Sequence, residues 1–267
     1  MNKEFLSRIN EYIPNFVRKW IRELRIQYWL RRGYQKMRKR VHRDGLEIIH
    51  FLHVSKTGGT AIQSAIGEQR RTDHYRVLVT PHPVRLKHIP TKEKFAVVLR
   101  DPVRRFVSAF NHRQAEGRPA YHDPWSRQER HAFLMFPDAN SLGLGLASKN
   151  PDLCKHAVRA MRNIGLLDTP YTFWLGNLEY LQSRKEDLLF VGFQESLTED
   201  FERFKDLVGY PNGICLPSDD SKANRTGSST IKLDPAAEAA LREWYAEDYK
   251  LYEYCRSLQG AVDTEQA

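Results

Sequence analysis

Cysteine is scarce: the 267 residues contain only Cys154, Cys215 and Cys255, widely spaced and with no CxxC pair. An odd number of isolated thiols excludes a disulfide framework and reads as reduced cysteine in a cytoplasmic protein. No His/Cys cluster has the spacing of a zinc site, so no metal is expected. There is no run of 18 apolar residues, which excludes a membrane-spanning helix. No charged leader, apolar stretch and small-residue cleavage site opens the chain, so export by a cleaved signal is not expected. Repeats and low-complexity tracts are also lacking, which excludes solenoids and most disordered architectures. What is present is a 41% hydrophobic composition with 13 Phe, 12 Tyr and 5 Trp, enough to bury the core of one α/β domain.

Acidic residues are scarce only at the start. Residues 1–43 hold 13 of the 42 Lys and Arg but only Glu4, Glu11 and Glu23, whereas the remaining 224 residues carry a net charge of −1. The formal charge of +9 therefore belongs to an arm, residues 1–43, attached to a neutral domain, residues 44–267. Ile13, Phe16, Val17, Trp20, Ile21 and Leu24 recur at helical spacing among Arg18, Lys19, Arg22 and Arg25, predicting a basic amphipathic helix. Pro14 fits the first turn of such a helix, and Arg31, Arg32, Lys36, Arg38, Lys39 and Arg40 follow it. The arm can lie on an anionic membrane, with Trp20 and Trp29 at the interface, or touch an acidic glycan. It can equally pack on the body with a solvated basic face; nucleic acid is not expected as a partner.

From Glu47 the pattern changes to short apolar runs separated by turns. Strands are predicted at Glu47–Val54, Arg76–Thr80, Lys94–Leu99 and Leu188–Val191. Helices are predicted from Thr60 to Ile66, Pro102 to Asn111, about Thr198 to Val208, and Pro235 to Tyr254. Alternating strands and helices imply a three-layer α/β fold with a central, mainly parallel sheet. Residues 112–187, with loops expected at Gly117–Trp125 and Asn140–Asn150, read as an insertion forming substrate walls or a lid.

Two loops carry chemistry. In the first, a strand runs through His53-Val-Ser-Lys56-Thr-Gly-Gly-Thr60 into a helix. Gly58 and Gly59 let successive backbone N–H groups converge into a nest for an anion, and the helix N-terminus adds partial positive charge. Lys56 adds a full charge, and Thr57 and Thr60 add hydroxyls. This is not a Walker A loop, because Lys56 precedes both glycines and no Mg²⁺-holding Ser or Thr follows it. In the second, a strand ends at Arg100, turns through Asp101-Pro102 and enters a helix carrying Arg105 and Ser108. Arg100 offers a guanidinium fork and Ser108 a hydroxyl to a second anionic group. Two such strand ends in one sheet point to a ligand with two separated phosphate-type groups.

The pair His53-x-x-Lys56-Thr-Gly-Gly-Thr60 and Arg100-Asp-Pro-x-x-Arg105-x-x-Ser108 resembles the cofactor loops of sulfotransferases that use 3′-phosphoadenosine 5′-phosphosulfate (PAPS), most closely carbohydrate sulfotransferases of the heparan sulfate 6-O type. The resemblance implies a P-loop-like sulfotransferase fold. It implies that Lys56, Thr57, Gly58, Gly59 and Thr60 hold the 5′-phosphosulfate, and that Arg100 and Ser108 hold the 3′-phosphate. Lys222 and Arg225, in a basic loop, resemble the segment closing over the nucleotide, and Phe190–Asp200 resembles the strand–turn beside it. The reaction implied is in-line transfer of a sulfuryl group to a hydroxyl of a carbohydrate or lipid-linked sugar, leaving adenosine 3′,5′-bisphosphate. A sugar hydroxyl needs a general base with a pKa near 6–7. His53 matches the family's catalytic histidine, and His82, ending the next strand, is the other candidate. Asp101 and Glu195 are expected to cap or to pair with Arg105, and His112 and Arg113 to contact an acidic acceptor. The alternatives are a P-loop-related kinase using ATP on a small-molecule or sugar hydroxyl, and a non-catalytic basic adaptor. The location expected is cytoplasmic, peripheral on the inner face of a membrane where the arm engages it.

Overall fold

The computed structural model describes residues 28–119, 122–218 and 232–265, with Ile21, Glu23, Leu24 and Ile26. Residues 13–20 of the predicted basic helix, and the loop with Lys222 and Arg225, lie outside the described residues.

Four strands form one parallel sheet: β1 (Glu47–Leu52), β2 (Tyr75–Val79), β3 (Lys94–Leu99) and β4 (Leu188–Phe193), in the order β2-β1-β3-β4. All four match predicted runs to within two residues. In β3, Phe95, Val97 and Leu99 face one apolar cluster while Ala96 and Val98 face another. Both faces are thus covered, as a parallel sheet requires. A short π-helical run, Trp29–Tyr34, precedes α1 (Gln35–Arg43). On one face of the sheet lie α2 (Gly59–Ile66) and, after β4, a long helix Leu197–Val208. The other face is covered by Tyr171–Leu175, Leu178–Ser183 and the last helix.

The insertion is helical. After α3 (Pro102–Gln114) come α4 (Arg127–Met135), α5 (Ala139–Leu146), α6 (Pro151–Asn163), α7 (Tyr171–Leu175) and α8 (Leu178–Ser183); α9 (Leu197–Val208), α10 (Pro235–Trp244) and α11 (Ala246–Glu265) complete the chain. Helix α5 corrects the loop expected at Asn140–Asn150. Asp138 caps it in a reciprocal pair with Ser141. Its glycines serve close packing: a Cβ on Gly143 would lie 2.7 Å from the Ala237 Cβ, and one on Gly145 would lie 2.6 Å from Phe136 Cε1. The C-terminal helix also departs from expectation, breaking at Tyr245, whose buried ring packs beside Phe106.

Two buried polar knots lock this frame. At the base of the sheet, Tyr34 donates to Glu93 Oε2 at 2.7 Å, His50 Nε2 meets the same oxygen at 2.7 Å, and Arg38 bonds Oε1. Burial works to raise the Glu93 pKa, but the hydrogen bonds from His50, Tyr34 and Arg38 hold it down at about 2. This knot fastens α1, the end of the basic arm, to the domain. In the insertion, Arg113 forks onto Glu129 at 2.8 and 2.9 Å, and both are buried. Arg113 is therefore not presented to an acceptor as expected; it joins α3 to α4. His112 is buried too.

Removing one partner of a buried ion pair leaves the other charge stranded, at a cost of about 3–5 kcal/mol. Arg113→Ala should lose about that much in urea unfolding, and a loss below about 1 kcal/mol would contradict the pairing. Glu129 is held below its ordinary pKa by Arg113 despite the opposing effect of burial. Its contribution is therefore present above the unfolded-state pKa and fades as pH falls through the folded value. The difference in stability between wild type and Arg113→Ala should shrink at acid pH.

Candidate active site

The strand order decides where chemistry can occur. The chain leaves β1 for β2 on one side, then crosses back to β3 on the other. Loops leaving the carboxyl ends of β1 and β3 therefore diverge and open a crevice, the usual ligand position in such sheets. These two loops are the ones singled out in the sequence.

In the first loop, Lys56 adopts φ +67° and Gly58 φ +94°, both left-handed. The positive φ at Gly58 is what favours glycine there; a Cβ would also lie 2.8 Å from the movable Leu197 Cδ2. Gly59, rather than Thr60, begins α2, and the first N–H groups of that helix have no intrahelical acceptor. The Thr57 hydroxyl is buried and donates to the Val54 carbonyl at 3.1 Å. It braces the loop from within. Lys56 is pulled down to a pKa of about 8 by burial and by the charge of Arg100. The two cations thus stand near each other at the same end of the sheet.

In the second loop, Asp101 caps α3 by accepting from the Arg104 N–H at 2.9 Å, and its other oxygen accepts from Tyr249 at 2.9 Å. Glu195 accepts the Asp101 N–H at 2.9 Å. Of the two roles expected for these acids, capping or pairing with Arg105, the structure shows the first: Asp101 caps the helix and Glu195 accepts a main-chain N–H, and neither pairs with Arg105. Arg105 is instead buried, donating to the carbonyls of Ser55 (3.2 Å) and Thr169, with Asp248 at 3.5 Å. Its guanidinium lies between the rings of Tyr171 and Trp174, 4.8 and 5.2 Å from their centroids. Burial pushes Asp248 up to about 6 even beside Arg105; at 3.5 Å their contact is long for a charge-assisted bond. Arg100 is itself depressed, first by burial, and its buried Nε has no partner among the described residues. A buried, unpaired donor is costly to leave without an acceptor. Ser108, two turns into α3, is half-buried.

Two histidines close the crevice. His53 ends the strand run, and a Cβ on Gly59 would lie 2.4 Å from its Cδ2. The imidazole thus rests against the first helical residue of the loop, with Nε2 3.5 Å from Thr60 Oγ1. The His82 ring stacks on it at 3.8 Å between centroids. His82 Nδ1 donates to the His53 carbonyl at 2.9 Å, which leaves its Nε2 as the lone-pair nitrogen. The His82 carbonyl accepts from Trp174 Nε1 at 2.7 Å. Burial and His82 depress His53 to about 3, well below the range expected for a poised base. His82 is lowered as well, by desolvation and by Lys56, although the residue is exposed to solvent. His112, lowered to about 4 by burial and then by Lys56, borders the same charge.

The match of the sulfotransferase family model over residues 43–255 spans both loops, the sheet and the helical insertion. The chain belongs to the sulfotransferase family. No curated protein and no solved structure matches it. Membership does not favour the kinase alternative. A sulfotransferase moves a sulfuryl group, and the paired cationic loops are the part of this enzyme suited to holding anionic oxygens. The sequence reading missed the residues that hold those loops still: Tyr171, whose hydroxyl donates to the Arg100 carbonyl at 2.5 Å and accepts its N–H at 3.0 Å, together with Trp174 and Asp248. The sequence signal of the two aromatics is only the run Tyr171–Trp174 in a region with no motif, and Asp248 has none beyond its place in the C-terminal helix.

An NMR titration of the free enzyme checks these electrostatics. His53 should remain neutral from pH 5 to 9, and Lys56 should titrate near 8. A His53 transition between 6 and 7 would show that the ring is far more hydrated than the packing against Gly59 allows.

Proposed function

We propose that this sulfotransferase takes its sulfuryl group from PAPS and passes it to a hydroxyl of a carbohydrate-type acceptor. The observation that carries the donor assignment is geometric: the adjacent parallel strands β1 and β3 deliver Lys56 and Arg100 at the same end of the sheet. A nucleotide with a 5′-phosphosulfate and a 3′-phosphate has two anionic ends to match two cationic loops. The residues fit: the Gly58–Gly59 turn admits close backbone approach, and the orphaned Arg100 Nε calls for an anionic acceptor. Lys56, the amides of residues 57–60 and the Thr60 hydroxyl would hold the 5′ end, and Arg100 and Ser108 the 3′-phosphate. Lys222 and Arg225 are proposed to close over the nucleotide.

Bound there, the donor supplies an activated sulfuryl group. Lys56 and the loop amides stabilise the charge that grows on the departing phosphate oxygen, and the rigid loops keep acceptor and leaving oxygens in line. The acceptor oxygen bonds to sulfur as the sulfur–phosphate oxygen bond breaks, and His53 takes the hydroxyl proton. Its position against the phosphate loop supports that role. Its low pKa belongs to the protein alone, since an anionic group beside the ring favours the protonated form and raises it. His82 steadies the His53 main chain through Nδ1.

The histidines are tested separately. His53→Ala should retain binding of adenosine 3′,5′-bisphosphate, seen as thermal stabilisation without Mg²⁺, while turnover falls about 10²-fold or more. His82→Ala should fall less. The reverse ranking would make His82 the base, and stabilisation by ATP·Mg²⁺ alone would overturn the donor assignment.

A further inference from the structure

At the other end of the sheet from the crevice, a groove of about 510 Å³ runs between α1 and the start of β2. Lys36 and Arg40, one turn apart on α1, form one wall; Arg71 and Arg76 form the other. Arg71 and Arg76 are paired across an isolated antiparallel bridge. Like charges set opposite each other repel, and Asp44, 3.1 Å from Arg71, is the one carboxylate among the lining residues. Among the described residues, Lys36, Arg40 and Arg76 have no ion-pair partner. The floor is apolar, made by Val41 and Leu46, which also cap the core under α1. The Tyr34–Glu93–His50 knot holds α1 in place, so the cations converge on a fixed surface.

We infer that this groove is a second anion site, which seats phosphate headgroups at the surface of an anionic membrane. The ligand chemistry follows from four cations facing one carboxylate. The choice of a membrane follows from the apolar floor, from Lys39 and Arg43 exposed on the same helix, and from the basic, Trp-containing run that leads into α1 in the sequence. Such a surface attracts clustered Lys and Arg and accepts apolar contact beneath them. The inference does not depend on which nucleotide the crevice binds.

Sedimentation of the full-length enzyme with vesicles tests it. Binding is expected to phosphatidylcholine vesicles containing a quarter phosphatidylglycerol and not to phosphatidylcholine alone. Lys36→Glu with Arg40→Glu should weaken partitioning about 20-fold or more. Lys39→Glu with Arg43→Glu, the same charge change on the same helix but outside the groove, should weaken it several-fold less. Both pairs should keep the wild-type melting temperature and affinity for adenosine 3′,5′-bisphosphate. Equal losses from the two pairs, no loss from the first, or no binding to anionic vesicles would overturn the assignment. So would tighter retention by a soluble sulfated polysaccharide than by vesicles, which would make the groove a polysaccharide site.

Discussion

Lys56 and Arg100 are forced together by topology. Because β1 and β3 are adjacent and parallel while β2 lies on the far side of β1, the two strands must deliver their loops to the same place. The cost appears in Lys56, whose charge is destabilised first by burial and then by Arg100. A doubly anionic ligand would relieve that repulsion. Donors fixed in advance toward developing charge are the largest contribution an enzyme of this type can make.

Rigidity comes from elements remote in sequence. Helix α7 has only five residues, yet Tyr171 clamps the Arg100 main chain in both directions and Trp174 holds His82. Arg105 lies between those two rings and reaches back to Ser55, joining the second loop to the first. Asp248, on α11, receives the Tyr171 N–H at 2.9 Å and faces Arg105. The insertion and the C-terminal helix thus act on the site as its frame. At the opposite end of the sheet the knot around Glu93 does the same for α1, so one sheet carries the two cationic loops at one end and the basic groove at the other.

Much of this was legible in the chain because its signals are local. Adjacent glycines after a buried strand, a lysine before them and Arg-Asp-Pro at a helix start each imply backbone geometry within a few residues. The sheet was legible because β-branched apolar runs such as Lys94–Leu99 are short and bounded by turns, as buried strands are. The rest was hidden because it depends on pairs far apart. Gly143 and Gly145 read as a loop, since their neighbours across the interface, Ala237 and Phe136, could not be known. Asp101 was legible as a helix cap, but the partners of Arg105, Thr169 and Asp248, lie 64 and 143 residues away and could not be read from the motif. His53 was expected near neutrality because position in a strand says nothing of how completely the ring is desolvated.

The central claim is that the two loops hold opposite ends of one nucleotide. Calorimetric affinities for adenosine 3′,5′-bisphosphate and adenosine 5′-monophosphate, compared in wild type, Lys56→Ala and Arg100→Ala, test it most directly. Lys56→Ala should weaken both ligands alike, whereas Arg100→Ala should weaken the bisphosphate at least tenfold and leave the monophosphate nearly unchanged. Equal losses for both ligands in Arg100→Ala would contradict the account.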